Sequence, residues 1–443
     1  MAPLLVVTVA LVLADSAVVT LALPNILQHL DASVGQVAWV LIAYNLVLGL
    51  AAVPAAMLFT RASPRVFSAA GIAVFAGSST LCAVAGSIDV LIAARCAQAI
   101  GGALALVGCL ELLVAEYGER RGVRFWITAG VLGTAVGPVA GGLLTQAFSW
   151  QAIFIVQVPF AALAVPAALA VRALPVPDTD RHRPAVRANL TLALMSAALT
   201  AALFLLVLLL VDGWGRSPAT AAITVSVVPV AALAARPIAR FLGPPQEVEI
   251  AVGCFLVAGG LLCLAIPPSS DLAWTIAPQA LVGLGIGLTV DRLTTRAMEL
   301  RLPRAHHAGW TIGARHIGVV LGLAILTPVF TADLKDAQVP AQLAITSLVL
   351  DAPLAPQDKI SVAEALGSEL SDQQDQVPDL HSAFARLSLA PSERPAADKL
   401  ERDLNAQVER AATRAFRDSF LIGAGLAFVA LLTVIPFRRR RAP

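Results

Sequence analysis

The chain has 443 residues, 58% of them apolar and only 14% charged, where a soluble domain carries roughly 45–50% and about 25%. Its mean hydropathy is +0.80, which leaves too little polar surface for folding in water and excludes a soluble enzyme, a disordered scaffold and a secreted disulfide domain. Aromatic residues make up 5% and the formal net charge is +2, so the apolar mass is aliphatic, which suits lipid-facing helices better than a barrel with aromatic girdles.

A membrane-crossing helix needs about 20 mostly apolar residues. Twelve stretches qualify, at approximately 4–24, 35–58, 66–86, 89–114, 125–147, 151–172, 189–211, 218–240, 249–267, 272–295, 308–331 and 418–437. Span 1 has no basic leader region and carries Asp15 in mid-span, so it reads as a span rather than a cleaved leader. Span 4 holds Arg95 in its outer third and Glu111 towards its inner end. In span 5, Gly133, Gly137 and Gly141 recur every four residues and make a smooth stripe for close approach of a neighbouring backbone. Pro138 within it removes a backbone hydrogen bond and should bend the helix. Asp291 lies near the inner end of span 10, and Arg315 and His316 about two turns into span 11. The five cysteines sit in apolar runs without metal spacing and read as small buried hydrophobes.

Loop arginines set the orientation. The loops after even-numbered spans and the tail carry 19 arginines, and the short loops on the other side carry one, Arg216. Both termini are therefore expected on the cytoplasmic side of an inner membrane. Trp150, Trp214 and Trp274 fall at outer boundaries, and Trp126 and Trp310 at inner ones, as interfacial anchors should. Residues 332–417 hold nine Lys/Arg and 14 Asp/Glu with several prolines; they read as a long extracytoplasmic loop of partial order, whose stretch 396–417 extends span 12 outward as a polar helix.

The halves repeat at an offset of about 184 residues: Ile92, Ala93, Gly101 and Leu104 match Ile276, Ala277, Gly285 and Leu288, and Trp126 matches Trp310. The expected division is residues 1–172 as one six-helix bundle, 173–188 as a cytoplasmic linker and 189–443 as a second bundle in the same orientation, an arrangement that rocks about a central site. An ionisable group at mid-membrane costs about 2.5–3.5 kcal/mol on insertion scales and seeks a partner. Burial favours a neutral carboxyl and a nearby cation favours the charged one, so Asp15 beside Arg95 would be a group that small motions switch between taking and releasing a proton.

The chain resembles the drug/proton antiporters of the major facilitator superfamily. The span 5 string Gly133, Gly137, Pro138, Gly141, Gly142 looks like the family's antiporter motif. Asp15 with Ala22-Leu23-Pro24 is similar to its span 1 motif, Trp39 and Tyr44 to its span 2 pattern, and Arg95, Gln98 and Gly101 to its span 4 motif, whose arginine is implicated in proton coupling. Ala314-Arg315-His316-Ile317-Gly318 resembles its span 11 segment. The family's loop 2–3 motif is eroded: Thr60 replaces the acid and Arg61 and Arg65 remain, free to meet Glu116 or Glu119. The resemblance implies an all-α protein of two six-helix bundles that exports hydrophobic or amphipathic molecules against protons by alternating access. Asp15 and Arg95 are the expected proton-coupling pair, and Trp39, Tyr44, Gln98, Gln157 and Arg315 the expected cavity wall. The partners are a small-molecule substrate, protons and the bilayer, the chain working as a monomer. No metal or organic cofactor, no enzymatic activity and no nucleic-acid contact is expected. The alternatives are export of a lipid or cell-envelope metabolite, and a transport-inactive sensor or assembly factor.

Overall fold

A computed structural model describes residues 2–20, 22–30, 32–59, 63–173, 182–267, 269–298, 301–372, 384–385 and 392–434. In hydrocarbon every backbone N–H and C=O must be satisfied inside its own segment, so apolar runs become helices. They are α1 (Ala2–Thr20), α2 (Val34–Phe59), α3 (Pro64–Ala83), α4 (Ile88–Tyr117), α5 (Glu119–Ala147), α6 (Ala152–Ala170), α7 (Val186–Gly213), α8 (Pro218–Leu242), α9 (Gln246–Leu264), α10 (Ala273–Met298), α11 (Arg304–Asp351), α12 (Pro356–Asp372), α13 (Arg394–Ala415) and α14 (Arg417–Val434). Among the described residues, eleven runs can cross a membrane as they stand, and the bent α5 makes twelve. Local chemistry marks the ends. Ser33 and Gln36 exchange hydrogen bonds as a capping box at the start of α2, and Ser87 and Ser217 cap α4 and α8. Gly118, at φ +77°, supplies the left-handed turn between α4 and α5.

The repeat is legible in the packing. In the first half Gly71 and Gly101 bring α3 and α4 into backbone contact; in the second, Gly253 and Gly285 do so for α9 and α10. A Cβ at Gly133 or Gly137 of α5 would meet the carbonyl oxygen of Ala10 or Ala14 on α1; one at Gly318 or Gly322 of α11 would meet that of Ala193 or Ala197 on α7. The bundles α1–α6 and α7–α11 with α14 meet most closely along α2 and α11, where Gly49 faces Gly313 and Ile317, Gly309 faces Ala52, and His316 Nδ1 hydrogen-bonds Asn45 Oδ1 at 2.7 Å.

The described residues of 332–372 and 392–417 are largely helical where a loop of partial order is expected, and the polar extension expected over 396–417 is among them. α11 continues unbroken to Asp351, α12 follows, and α13 leads directly into α14. Ile345, Val349, Val362, Leu366, Leu400, Leu404 and Val408 form a small apolar core of their own. The apolar residues of α13 fall every three or four positions, so the polar helix expected over 396–417 is present and carries one apolar face. This cap lies at the end of the bundles remote from the arginine-rich loops, tied there by Trp214 Nε1–H donating to Thr413 Oγ1 (2.9 Å) and by Ser270 to Glu409. Three of the expected interfacial tryptophans are instead buried: Trp126, Trp150 and Trp214. Trp126 donates to the Leu106 carbonyl (2.8 Å), a tie to α4 that outweighs the interface. Trp274 and Trp310 are exposed. Of the cysteines, Cys263 is exposed and Cys96 half-buried, against expectation; an exposed thiol in an apolar span sits against lipid without penalty.

Candidate functional site

Asp15 and Arg95, 80 positions apart, form an ion pair with neither side chain exposed. α1 brings the carboxylate two-thirds of the way along its length; α4 brings the guanidinium two turns from its start. Asp15 Oδ2 accepts from Arg95 Nη1; Oδ1 accepts from Gln157 Nε2 of α6 (2.8 Å) and Gln98 Nε2 of α4 (3.3 Å). Arg95 Nη1 also donates to Gln98 Oε1 (2.6 Å), and Nε to the Val40 carbonyl (3.5 Å). Its remaining nitrogen, Nη2, has no hydrogen-bond partner, but the guanidinium carbon lies 3.9 Å from the centre of the Tyr44 ring, a cation–π contact in a desolvated site. The Tyr44 hydroxyl donates to the Val12 carbonyl (3.0 Å). Gln98 Nε2 reaches Ser79 Oγ on α3 (2.8 Å). Every contact comes from the first bundle. By the glycine register of the repeat, the second half carries Ala198 and Gln279 at the matching places, so the charge pair has no twin.

The antiporter string adjoins this pair. Gly133, Gly137 and Gly141 lie against the carbonyls of Ala10, Ala14 and Val18, so α5 rests on the backbone of the helix that carries Asp15. Gly142 is buried beside them. α5 bends by 43° between Thr134 and Val136, where the Pro138 ring meets the carbonyl four residues back.

On the other face of α5 a cavity of about 750 Å³ lies between the bundles. Ile127, Val131, Met195, Leu199, Leu203 and Ile286 give it apolar walls. Thr134, Pro138 and Arg315 close its deep end, and exposed Glu119, Arg120, Arg124 and Arg240 flank its mouth on the arginine-rich side. The opposite end is closed, with the Ala219 amide at the start of α8 donating to Gln146 Oε1 at the end of α5 (2.8 Å). Asp15 does not reach the cavity.

Of the expected wall residues only Arg315 lines this space. Tyr44, Gln98 and Gln157 cage the ion pair instead, because an ion pair in hydrocarbon needs every polar group within reach. Trp39 is half-exposed on the surface of α2. Arg61 lies outside the described residues. Arg65 is exposed and, among the described residues, makes no ion pair with Glu116 or Glu119. Among the described residues, the ion pairs that cross between bundles come from Arg304, which is 3.5 Å from Glu111 and 3.7 Å from Glu119. Asp291 pairs with Arg236 at 2.7 Å. Sequence reasoning missed Ser79, a small polar residue like many others in apolar helices, and most of the apolar cavity wall, which carries no polar signal.

Residues 5–327 match the family described as Major Facilitator Superfamily. The Methylenomycin A resistance protein of Streptomyces coelicolor is 31% identical over 226 residues, half of this chain and 46% of that protein. The Tetracenomycin C resistance and export protein of Streptomyces glaucescens is 34% identical over 37% of this chain and 31% of its own length. The Multidrug efflux pump LfrA of Mycolicibacterium smegmatis is 32% identical over 35% of this chain and 32% of its own length. The matches thus span about half or less of these relatives. In fold, the chain is similar to a bacterial homologue of the human lysosomal transporter Spinster in an inward-facing and occupied conformation, at a TM-score of 0.61, 15% identity and 98% and 96% coverage of the two chains. With a family match across most of its length, an all-helical two-bundle architecture and an inter-bundle cavity, this multi-pass membrane protein belongs to the Major Facilitator Superfamily.

Proposed function

We propose that the chain is a proton-coupled antiporter that exports hydrophobic or amphipathic small molecules, drugs among them, by alternating access, with both termini in the cytoplasm and the arginine-flanked cavity open to that side. The observation that carries the reading is the placement of the Asp15–Arg95 pair: wholly buried in one bundle, and separated from the inter-bundle cavity by the glycine seam of α5. A proton on Asp15 removes the charge that holds α1 to α4 and α6, so the two protonation states favour different positions of α1, which is the differential interaction a coupled transition requires. Because Gly133, Gly137 and Gly141 seat α5 on the α1 backbone, a shift of α1 moves the α5 face that lines the cavity. Substrate enters from the cytoplasm in the state seen here, and a proton from outside loads Asp15 in the opposite state. Arg304 with Glu111 and Glu119 supplies cross-bundle charge contacts that offset the acid lost at Thr60. The small-molecule resistance and export named for the relatives agrees with this reading. The experiment is flux in proteoliposomes with a panel of fluorescent amphiphiles of both charge signs. Acidifying the lumen of inside-out vesicles should drive uptake of at least one dye, and a protonophore should abolish it; a reconstituted, folded protein that moves none of them overturns the proposal.

A further inference from the structure

The cavity holds more positive charge than its surroundings neutralise. Arg236 and Arg292 share Glu249, and Arg236 also meets Asp291; Arg304 meets Glu111 and Glu119. Four further lining arginines, Arg120, Arg124, Arg240 and Arg315, have no carboxylate within ion-pair distance among the described residues. Three of them stand at the solvated mouth. Arg315 stands further in, about 16 Å along α11 from Arg304 at 1.5 Å per residue, at the deep end of apolar walls. Its Nη2 donates to Thr134 Oγ1 at 2.6 Å across the bundle interface, and that hydroxyl donates in turn to the Gly130 carbonyl (2.8 Å). Among the described residues no other hydrogen bond from this guanidinium is made, so its remaining N–H groups are left for whatever fills the cavity.

A cation at membrane depth is costly unless paired, and the protein supplies no pair. A half-buried guanidinium with N–H groups open to the cavity is a fork for a carboxylate, phosphate or sulfonate. The arginines at the mouth raise the local concentration of anions. The walls leading to Arg315 (Met195, Leu199, Leu203, Ile286) suit an apolar body, and about 750 Å³ accommodates a drug-sized molecule. We propose that the transported class is anionic amphiphiles, whose acidic head pairs with Arg315 at the deep end of the cavity and whose apolar body lies along α7 and α10. This rests on the transport reading above and narrows it. Expelling an anion against an entering proton moves charge in one sense, so such export would draw on the membrane potential as well as on the pH difference.

The test is equilibrium binding to the full chain in phosphatidylcholine nanodiscs without any gradient, read by dansyl emission. Two probes share one body: a dansylated undecanoate, and the same chain ending in trimethylammonium. The carboxylate should bind about tenfold or more tightly than the ammonium, the factor expected of one charge-assisted hydrogen-bonded pair. Arg315→Gln should erase that preference and Arg315→Lys should keep most of it, a contrast that a purely structural role would not give. Competition by lysophosphatidate against competition by a naphthoate tells a lipid headgroup from a soluble acid; displacement by either supports the proposal and displacement by neither overturns it. Equal or tighter binding of the ammonium probe, or a preference that survives Arg315→Gln, also overturns it. Since no gradient is applied, this result does not depend on proton coupling: failure of the charge preference overturns the anionic class alone, whereas failure of gradient-driven flux of every dye overturns the transport reading.

Discussion

Removing the cation of the buried pair should cost far more alone than together with its acid. Asp15 accepts from three side chains, and only Arg95 is charged. In Arg95→Met the carboxylate keeps two neutral amides in a wholly buried site, and the partner methionine fills much of the space above Tyr44. Breaking a buried pair from one side typically costs about 3–5 kcal/mol, whereas replacing both members by neutral groups is near neutral or even stabilising. Asp15→Asn likewise strands the guanidinium. The double variant Asp15→Asn/Arg95→Met should therefore be more stable than either single one, with a coupling energy of at least about 3 kcal/mol. Reversible unfolding in mixed micelles, with all four proteins measured under one condition, gives the cycle. Additivity of the two single effects within about 0.5 kcal/mol, the behaviour of independent sites, would show that the two charges do not hold each other and would refute the reasoning.

Three other outcomes follow from the packing. Gly133→Ala drives a Cβ into the Ala10 carbonyl and should destabilise by about 1–3 kcal/mol, while Gly77→Ala, with nothing within 4 Å, should stabilise α3 by about 0.5–1 kcal/mol; thermal melts of both report it, and equal shifts would contradict the seam. Arg304→Ala leaves Glu111, only 5% exposed, without its cation and should lower stability by about 1–3 kcal/mol, most of it regained in Arg304→Ala/Glu111→Gln; no recovery would mean that the pair is incidental. Outside the spans, a hydrogen bond with Asp358 pushes the Glu393 carboxyl up from its usual value, opposed by the Ala355 amide. The folded cap thus holds the proton more readily than the unfolded chain; this contribution is complete below the unfolded carboxylate value and is lost as pH rises through the raised one. Proteolysis of the cap should quicken as pH rises through the acidic range, and Glu393→Gln should remove that dependence; an unchanged profile would count against it.

The fold was largely legible because a bilayer reduces the choice of structure to apolar length, and the glycine register of Gly101 and Gly285 exposed the repeat. The Asp15–Arg95 pair was legible for a related reason: a charge in a span must find a partner, and few were available. What stayed hidden depends on polar residues whose role is set by who stands opposite. Gln98 and Gln157 could have faced a cavity or an ion pair, and only the helix positions decide that they cage Asp15. Of the cap, α13 was legible as a polar extension of the last span, but its small core was hidden because it uses a few apolar residues at helical spacing within a polar composition. Arg304, one arginine among many in the inner loops, gave no sign that it crosses to Glu111.

The central claim is that Asp15 couples proton entry to substrate exit, and gradient-driven uptake against simple exchange tests it most directly. In inside-out proteoliposomes with an acidic lumen, wild type should concentrate an amphiphilic dye above equilibrium, while Asp15→Asn should still exchange labelled for unlabelled dye but only equilibrate. If Asp15→Asn concentrates the dye as wild type does, the proton travels elsewhere and the role given to this carboxyl is wrong.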